Sequence, residues 1–141
     1  MSVKAGDSED LVLLNRLDSP MIVDGIKSDA HLAAVRRSGK RVSAVFVSGA
    51  KWLSINRTEL VSASSPVTLA MALCRGTRSL AVKCDEPTEL RLKVEPRIFQ
   101  GTVKLDGRRL SPTDFAFDHE AGTLTLKLKP GEHKVEVRQR T

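Results

Sequence analysis

The sequence predicts an all-β domain: an antiparallel two-sheet sandwich built from hairpins, with about 11–13 short strands and little or no helix. Short runs rich in β-branched residues and leucine alternate with polar residues along almost the whole chain, a period typical of half-buried strands. Helical spacing is sustained nowhere. Most of the 9 glycines and 6 prolines lie in the gaps, so the turns join strands directly and leave no room for crossover helices.

The strand-like runs form two series along the chain. The first series covers residues 11–14, 21–26, 31–36, 41–47, 52–55 and 58–62. The second covers residues 66–74, 78–83, 89–94, 101–105, 114–118, 123–128 and 133–138. The residues expected to face the core between the two sheets are Val45, Val47, Leu69, Met71, Leu90, Leu92, Phe115, Phe117, Leu124 and Leu126.

Two of the predicted turns are tight. Asp106-Gly107 suits a type I′ turn, in which both central residues have positive φ. Asn56-Arg57 occupies the same place in a similar hairpin but suits it less well, because arginine tolerates that geometry poorly.

The length of 141 residues corresponds to one ordinary domain. We expect a flexible N-terminal segment over residues 1–10 and a single β-sandwich domain over 11–141. The strand pattern breaks around Ser64-Ser65-Pro66, so a subdivision near 64–66 stays open.

The charge of +6 favours contact with polyanions such as nucleic acids, anionic lipid surfaces or acidic polysaccharides. The basic residues are scattered among acidic ones, which is typical of a solvated surface. Aromatic residues make up 4% of the chain, too few to predict specific nucleic-acid binding by base stacking. No apolar run approaches the roughly 18–20 residues that cross a bilayer, and the first ten residues lack the apolar core of a signal peptide, so no membrane partner is expected.

The two cysteines, Cys74 and Cys84, flank a short segment that turns one predicted strand onto the next. They either face each other across this hairpin as a disulfide or stay as buried free thiols. Sequence alone leaves both states open, because a disulfide depends on a Cα separation of about 4.4–6.8 Å.

Motifs for catalysis and cofactor binding are missing from the sequence. It has no tyrosine, no phosphate-binding glycine loop, no dinucleotide fingerprint and no zinc-site spacing of histidines or cysteines. The three histidines, His31, His119 and His133, are far apart, and surface or turn roles are favoured over a metal site. Asp114, Asp118 and Glu120 fit a hairpin better than paired acid–base carboxylates. We therefore predict no catalytic residue, no metal and no cofactor.

Four segments of the first half carry a family resemblance: DAHLAAVRR at 29–37, VFVSGA at 45–50, LSINRTEL at 53–60 and SPVTL at 65–69. This half of the chain resembles the C-terminal β-domain of heparinase II/III-like polysaccharide lyases. The second half, with VKLDGR at 103–108, GTLTL at 122–126 and PGEHKVEV at 130–137, is similar to the small terminal β-sandwiches of carbohydrate-active enzymes.

The resemblance implies a non-catalytic accessory domain associated with acidic-polysaccharide degradation. Such lyases abstract a proton beside a uronate carboxylate, using tyrosine and histidine residues largely from a helical toroid, and this sequence has neither toroid nor tyrosine. No catalytic residue is therefore carried over. The implied partners are an acidic polysaccharide or an adjacent catalytic domain, and the implied location is periplasmic or secreted.

The residues predicted to contact an anionic glycan are Trp52, Lys51, Arg57, Arg36 and Arg37. Trp52, the single tryptophan, is either a sugar-stacking platform or a large apolar residue packed on a sheet. Two alternatives remain beside glycan binding: a structural or protein-interaction β-domain without a glycan ligand, and a small hydrolase or metal enzyme whose dispersed histidines and carboxylates converge.

Overall fold

The computed structural model describes residues 2–5, 8–14, 21–23, 25–38, 41–74, 77–94 and 101–139. These residues form fourteen antiparallel strands and no helix, which confirms the predicted all-β class. In chain order the strands are β1 Ser2–Ala5, β2 Ser8–Leu14, β3 Met21–Val23, β4 Ile26–Ser28, β5 Leu32–Ser38, β6 Arg41–Ile55, β7 Thr58–Cys74, β8 Thr77–Cys84, β9 Thr88–Lys93, β10 Gly101–Leu105, β11 Arg108–Arg109, β12 Ala116–Asp118, β13 Thr123–Leu128 and β14 Gly131–Gln139.

Hydrogen bonding connects all fourteen strands, but the network has two parts that share β6 and β7. The first part, here the first sheet, has the order β1-β2-β5-β6-β7-β8-β14-β10-β11. The second sheet has the order β3-β4-β6-β7-β9-β13-β12. The ends of β6 and β7 near Ala44 and Ala72 belong to the first sheet, and the ends near Leu53 and Val61 belong to the second.

The strands β6 and β7 are longer than the sequence pattern predicts, with 15 and 17 residues. Each merges two predicted short strands. Their pairing shifts register between Val47 and Ala50 and again between Ala50 and Trp52. At the second shift Ala50 pairs with Val67 and Trp52 with Ser62, so Ser64-Ser65-Pro66 of β7 lies between these two pairs. Bulges bend a strand without ending it. Ser64-Ser65-Pro66 therefore lies inside β7, where the strand passes from one sheet to the other. The subdivision considered near 64–66 does not coincide with a strand end.

The N-terminal segment also differs from expectation. Residues 1–10 are predicted to be flexible, but Ser2–Ala5 forms β1 and pairs with the beginning of β2. Edge pairing depends on backbone hydrogen bonds rather than on apolar side chains, so hydrophobic periodicity gives no signal for it.

One hydrophobic cluster joins the inner faces of both sheets. Of the ten predicted core residues, eight are buried, including Leu69 and Leu90 at 0% exposure, while Phe115 and Phe117 are partly buried against the cluster. The two sheets therefore share a single core.

Both predicted two-residue turns form with positive φ. Asp106 and Gly107 have φ values of 52° and 81°, and Asn56 and Arg57 have φ values of 51° and 68°. The second turn tolerates arginine in this region, and the Asn56 N–H donates to the Gly25 carbonyl at 2.9 Å, which ties the turn to the loop before β4.

Candidate functional site

The outer face of the second sheet carries a polar groove. It consists of two adjoining depressions with volumes of about 590 and 680 Å³. The two depressions share Glu59, Ser62, Glu89 and Arg91, so they form one continuous surface across β6, β7, β9, β13 and β12, which we call the polar groove.

A row of directly opposed residues forms the floor of the polar groove. In order across the strands they are Trp52, Ser62, Arg91, Thr125 and Ala116. At a strand spacing of about 4.8 Å the row spans roughly 19 Å. Its length, its polar side chains and the indole at one end suit an extended polar ligand.

Strand β9 supplies the charged centre of the polar groove. Leu90 and Leu92 are 0% exposed, and the alternation of a strand turns Glu89, Arg91 and Lys93 outward. The Arg91 guanidinium donates to Glu89 at 3.1 Å and remains 58% exposed, so it can contact a ligand without leaving a buried charge behind.

A partly buried acidic turn places Trp52 at the end of the polar groove. The Asp29 carboxylate accepts hydrogen bonds from the backbone N–H groups of Lys51 at 2.9 Å and Trp52 at 3.1 Å. The buried Ser28 hydroxyl donates to the Trp52 carbonyl at 2.8 Å. These contacts fix the bulge in β6 and bring both Lys51 and Trp52 to the polar groove.

The opposite end of the polar groove is closed by the loop between β12 and β13. The Asp118 carboxylate accepts hydrogen bonds from the N–H groups of Glu120 at 3.0 Å and Ala121 at 3.1 Å, and the Lys93 ammonium donates to the Ala121 carbonyl. Asp114 instead accepts from the Ser111 hydroxyl and N–H, which lowers its pKa. Asp114 and Asp118 thus stabilise separate turns.

Opposite charges nearly balance in the polar groove. Its cations are Lys51, Arg91, Lys93 and Lys127, and its anions are Glu59, Glu89 and Asp118. Much of the net charge of +6 therefore lies elsewhere on the chain.

The structure brings together two of the five residues predicted to contact a glycan. Lys51 and Trp52 line the polar groove, where Trp52 is half-buried. Arg57 is exposed in the turn between β6 and β7 and lies outside the residues that line the groove.

Arg36 and Arg37 lie on β5 of the first sheet instead. Arg36 donates to both carboxylate oxygens of Asp10, at 2.8 and 3.1 Å, which lowers the pKa of Asp10. Arg37 is 3.7 Å from Glu9. Positive charge in the sequence predicts contact with an anionic glycan for both arginines, but it does not show the sheet to which each strand belongs.

The register of β7 and β8 separates the two cysteines. Cys74 pairs with Thr77 at the turn, whereas Cys84 pairs with Val67, seven positions along the ladder. This is roughly 23 Å at about 3.3 Å per residue, too far for a disulfide. Cys84 is a free, buried thiol whose Sγ donates to the Lys129 carbonyl at 3.2 Å, so the disulfide alternative is wrong for this pair.

His133, near the beginning of β14, links three segments of the chain. Its Nδ1 is 2.8 Å from the Asp106 carboxylate and its Nε2 is 2.6 Å from the Lys129 carbonyl. Both partners only accept, so both bonds form when the ring is a protonated imidazolium. The Asp106 carboxylate raises the pKa of His133, and the His133 hydrogen bond lowers the pKa of Asp106.

The other two histidines are exposed and separate. His31 follows the Asp29 turn, and His119 makes an edge contact with the Phe117 ring at 4.7 Å. Within the part of the chain that the structure describes, no three metal-ligating side chains come together.

Sequence reasoning missed Ser62, Arg91 and Thr125 on the floor of the polar groove, and it missed Asp29, which positions Lys51 and Trp52. The alternation in TELRLK over Thr88–Lys93 places Arg91 on an outer face, but only the strand order shows that this face adjoins Trp52. Asp29 acts through backbone groups 22 and 23 residues away, for which the sequence carries no motif.

The described residues include no helix long and apolar enough to span a membrane. Neither the models of known protein families nor the curated proteins contain a match to this chain.

Proposed function

We propose that this chain is a non-catalytic β-domain that binds an acidic polysaccharide through the polar groove and accompanies a catalytic domain in acidic-polysaccharide degradation. The observation that carries the proposal is the row Trp52, Ser62, Arg91, Thr125. It combines an aromatic face for stacking on a sugar ring with hydroxyl groups and one exposed guanidinium.

Arg91 is the residue assigned to the acidic group of the polysaccharide. A guanidinium binds a carboxylate through two parallel hydrogen bonds, and Arg91 lies between Ser62 and Thr125, whose hydroxyls suit the sugar hydroxyls on either side. Lys93 and Lys127 line the same surface. Glu89 and Glu59 limit the attraction that charge alone would give, so recognition depends on the position of Arg91.

The matched control for Arg91 is Arg138. Each arginine pairs with a glutamate two positions earlier on its own strand, Arg91 with Glu89 at 3.1 Å and Arg138 with Glu136 at 3.6 Å. Their exposures are similar, at 58% and 68%. Replacing either by alanine changes the net charge equally, but only Arg91 lies in the polar groove.

The test is isothermal titration of the wild type, Arg91→Ala and Arg138→Ala with alginate, heparin, a neutral glycan and duplex DNA, at low and moderate salt. We expect one acidic glycan to bind at moderate salt, with Arg91→Ala weakening it about tenfold or more and Arg138→Ala changing it less than about twofold. Equal losses of affinity in both variants, or equal salt-sensitive binding to every polyanion, would show that binding depends on charge alone and would contradict the proposal.

A protein-interaction role is the second candidate function, and a different surface favours it. The centre of the outer face of the first sheet is lined by alanines and Phe46, with charged residues toward its two sides, unlike the polar groove. Such a face is suited to another protein surface rather than to a sugar.

A further inference from the structure

A second groove, with a volume of about 780 Å³, lies on the outer face of the first sheet. Two rows of directly opposed residues cross it, and we call the surface they form the alanine face. One row contains Val12, Ala34, Phe46, Ala70, Ala81 and Lys134. The other contains Asp10, Arg36, Ala44, Ala72, Ser79, Glu136 and Lys104.

The alanine face exposes apolar side chains on both rows. Ala70, Ala72 and Ala81 are exposed, and Phe46 is half-buried. Leu14, two residues beyond Val12 on β2, is 62% exposed. A continuous apolar face of this kind marks a protein-interaction site.

The order of charges along the second row is self-complementary. From β2 to β10 the row reads acidic Asp10, basic Arg36, three small residues, acidic Glu136 and basic Lys104. Read from the other end, every acidic residue takes the place of a basic one. A two-fold axis along the central strand, β7, therefore sets Asp10 opposite the partner's Lys104 and Arg36 opposite the partner's Glu136.

Beside the axis, the first row is complementary in size, while Lys134 at its end comes opposite the partner's Ala34. Phe46 on β6 comes opposite the partner's Ala81 on β8, so the one large ring meets a methyl group. Ala70, on the axis, comes opposite the partner's Ala70. Small side chains along the axis let two sheets pack face to face without clashes.

From these two rows we infer that the alanine face is the interface of a two-fold homodimer, with β7 of each protomer on the axis. A two-fold interface requires one surface to complement itself, which is the pattern that the second row has along its whole length and the first row has beside the axis. The seven strands of the face span about 29 Å across the sheet, and its two rows lie about 7 Å apart along each strand.

Ala70→Arg is the variant that tests the axis. It places two guanidinium groups against each other in the dimer, and since Ala70 is exposed in one protomer, the fold should be retained. Thr113→Arg adds the same charge at an exposed loop position outside the alanine face. Far-UV circular dichroism checks that both variants fold.

A charge exchange tests the pairing of Arg36 with Glu136 of the partner subunit. Arg36→Glu and Glu136→Arg each bring like charges together twice per dimer, and each should raise the dimer Kd about tenfold or more. Because Arg36 also pairs with Asp10 and Glu136 lies opposite Lys104 within the protomer, the restoring variant is D10K/R36E/K104D/E136R. It reverses all four charges, so each keeps an oppositely charged neighbour within the protomer and across the axis, and it should restore the dimer.

Sedimentation velocity over a range of protein concentrations measures these outcomes. The inference predicts a dimer for the wild type and Thr113→Arg, a monomer for Ala70→Arg, and recovery of the dimer in D10K/R36E/K104D/E136R. A wild type that stays monomeric would leave the alanine face to a different partner and overturn the inference. A dimer that survives Ala70→Arg, or a four-fold variant no better than the single ones, would overturn the assigned axis and pairing.

Discussion

The polar groove and the alanine face differ in chemistry although β6 and β7 contribute to both. In the first sheet the outward residues of these strands are Ala44, Phe46, Ala70 and Ala72. In the second sheet they include Trp52, Ser54, Glu59 and Ser62. The bulges near the middle of β6 and β7 separate the two sets. One hairpin therefore carries two surfaces, and the bend between them decides which residues share a face.

The largest expected effect concerns the core that supports both faces. Leu69 lies beneath the alanine face and Leu90 beneath the polar groove, both at 0% exposure in one cluster. Leu69→Ala and Leu90→Ala should each lower the free energy of unfolding by about 2–5 kcal/mol through lost burial and an added cavity.

Urea unfolding followed by Trp52 fluorescence and by far-UV circular dichroism checks whether the core is shared. Because Trp52 lies on the second sheet, its transition should move together with the circular dichroism transition in both variants. If Leu69→Ala shifted the circular dichroism transition but not the Trp52 transition, the two sheets would unfold separately and would not share one core.

The bend itself is tested at Gly49, which has φ of 68°. An added Cβ there would lie 2.6 Å from His31 Cδ2, whereas at Gly107, with φ of 81°, nothing lies within 4 Å. Gly49→Ala should lower the free energy of unfolding by roughly 2–3 kcal/mol and Gly107→Ala by about 1 kcal/mol. Both variants place an alanine at positive φ, which strains the backbone, and only the first also brings its Cβ too close to the His31 ring.

The double variant Gly49→Ala with His31→Ala separates the two contributions. Removing the imidazole should recover the contact part and leave a loss close to that of Gly107→Ala, as measured by urea unfolding. If the single variants Gly49→Ala and Gly107→Ala lost the same free energy of unfolding, His31 would not constrain the bend.

The smallest expected effect is pH dependence of the contact between His133 and Asp106, near the beginning of β14. The raised pKa of His133 means that its contribution to stability is present below its unfolded pKa of about 6.5 and is lost as pH rises through the folded pKa. The lowered pKa of Asp106 adds stability above its unfolded pKa of about 3.9, which is lost as pH falls through the folded value.

Unfolding free energies measured from pH 5 to 9 should therefore fall on the alkaline side by at most about 1 kcal/mol, because Asp106 is half exposed. Asp106 also accepts a hydrogen bond from the backbone N–H of Lys134, and Lys129 contributes its carbonyl to His133. His133→Gln and Asp106→Asn should both flatten the profile. An unchanged alkaline slope in His133→Gln would assign it to another group.

Sequence patterns predicted much of the scaffold and little of the surface organisation. The alternation in TLTLKL at Thr123–Leu128 and in GTVKL at Gly101–Leu105 matches the observed strands, because period-2 burial is a local property. The long β6 and β7 were divided in the prediction, since a bulge and a turn interrupt alternation in the same way.

The site residues were harder to predict because a face is assembled by strand order. Lys51 and Trp52 are adjacent in sequence and lie on the same surface. Arg91 lies near them because β7 pairs with both β6 and β9. Arg36 has the same residue type and a similar strand context, yet lies on the alanine face. Local sequence shows which side of a strand a residue occupies, not which strands lie beside it.

The central claim is that the two outer faces have separate ligands. The most direct measurement is the amide NMR spectrum of Ala70→Arg during titration with an acidic oligosaccharide. The account predicts shifts of the Trp52 indole and of the Ser62, Arg91 and Thr125 amides, with Ala44, Ala72 and Ser79 unmoved. Shifts that centre on the alanine face, or that spread evenly over basic residues of both sheets, would contradict it.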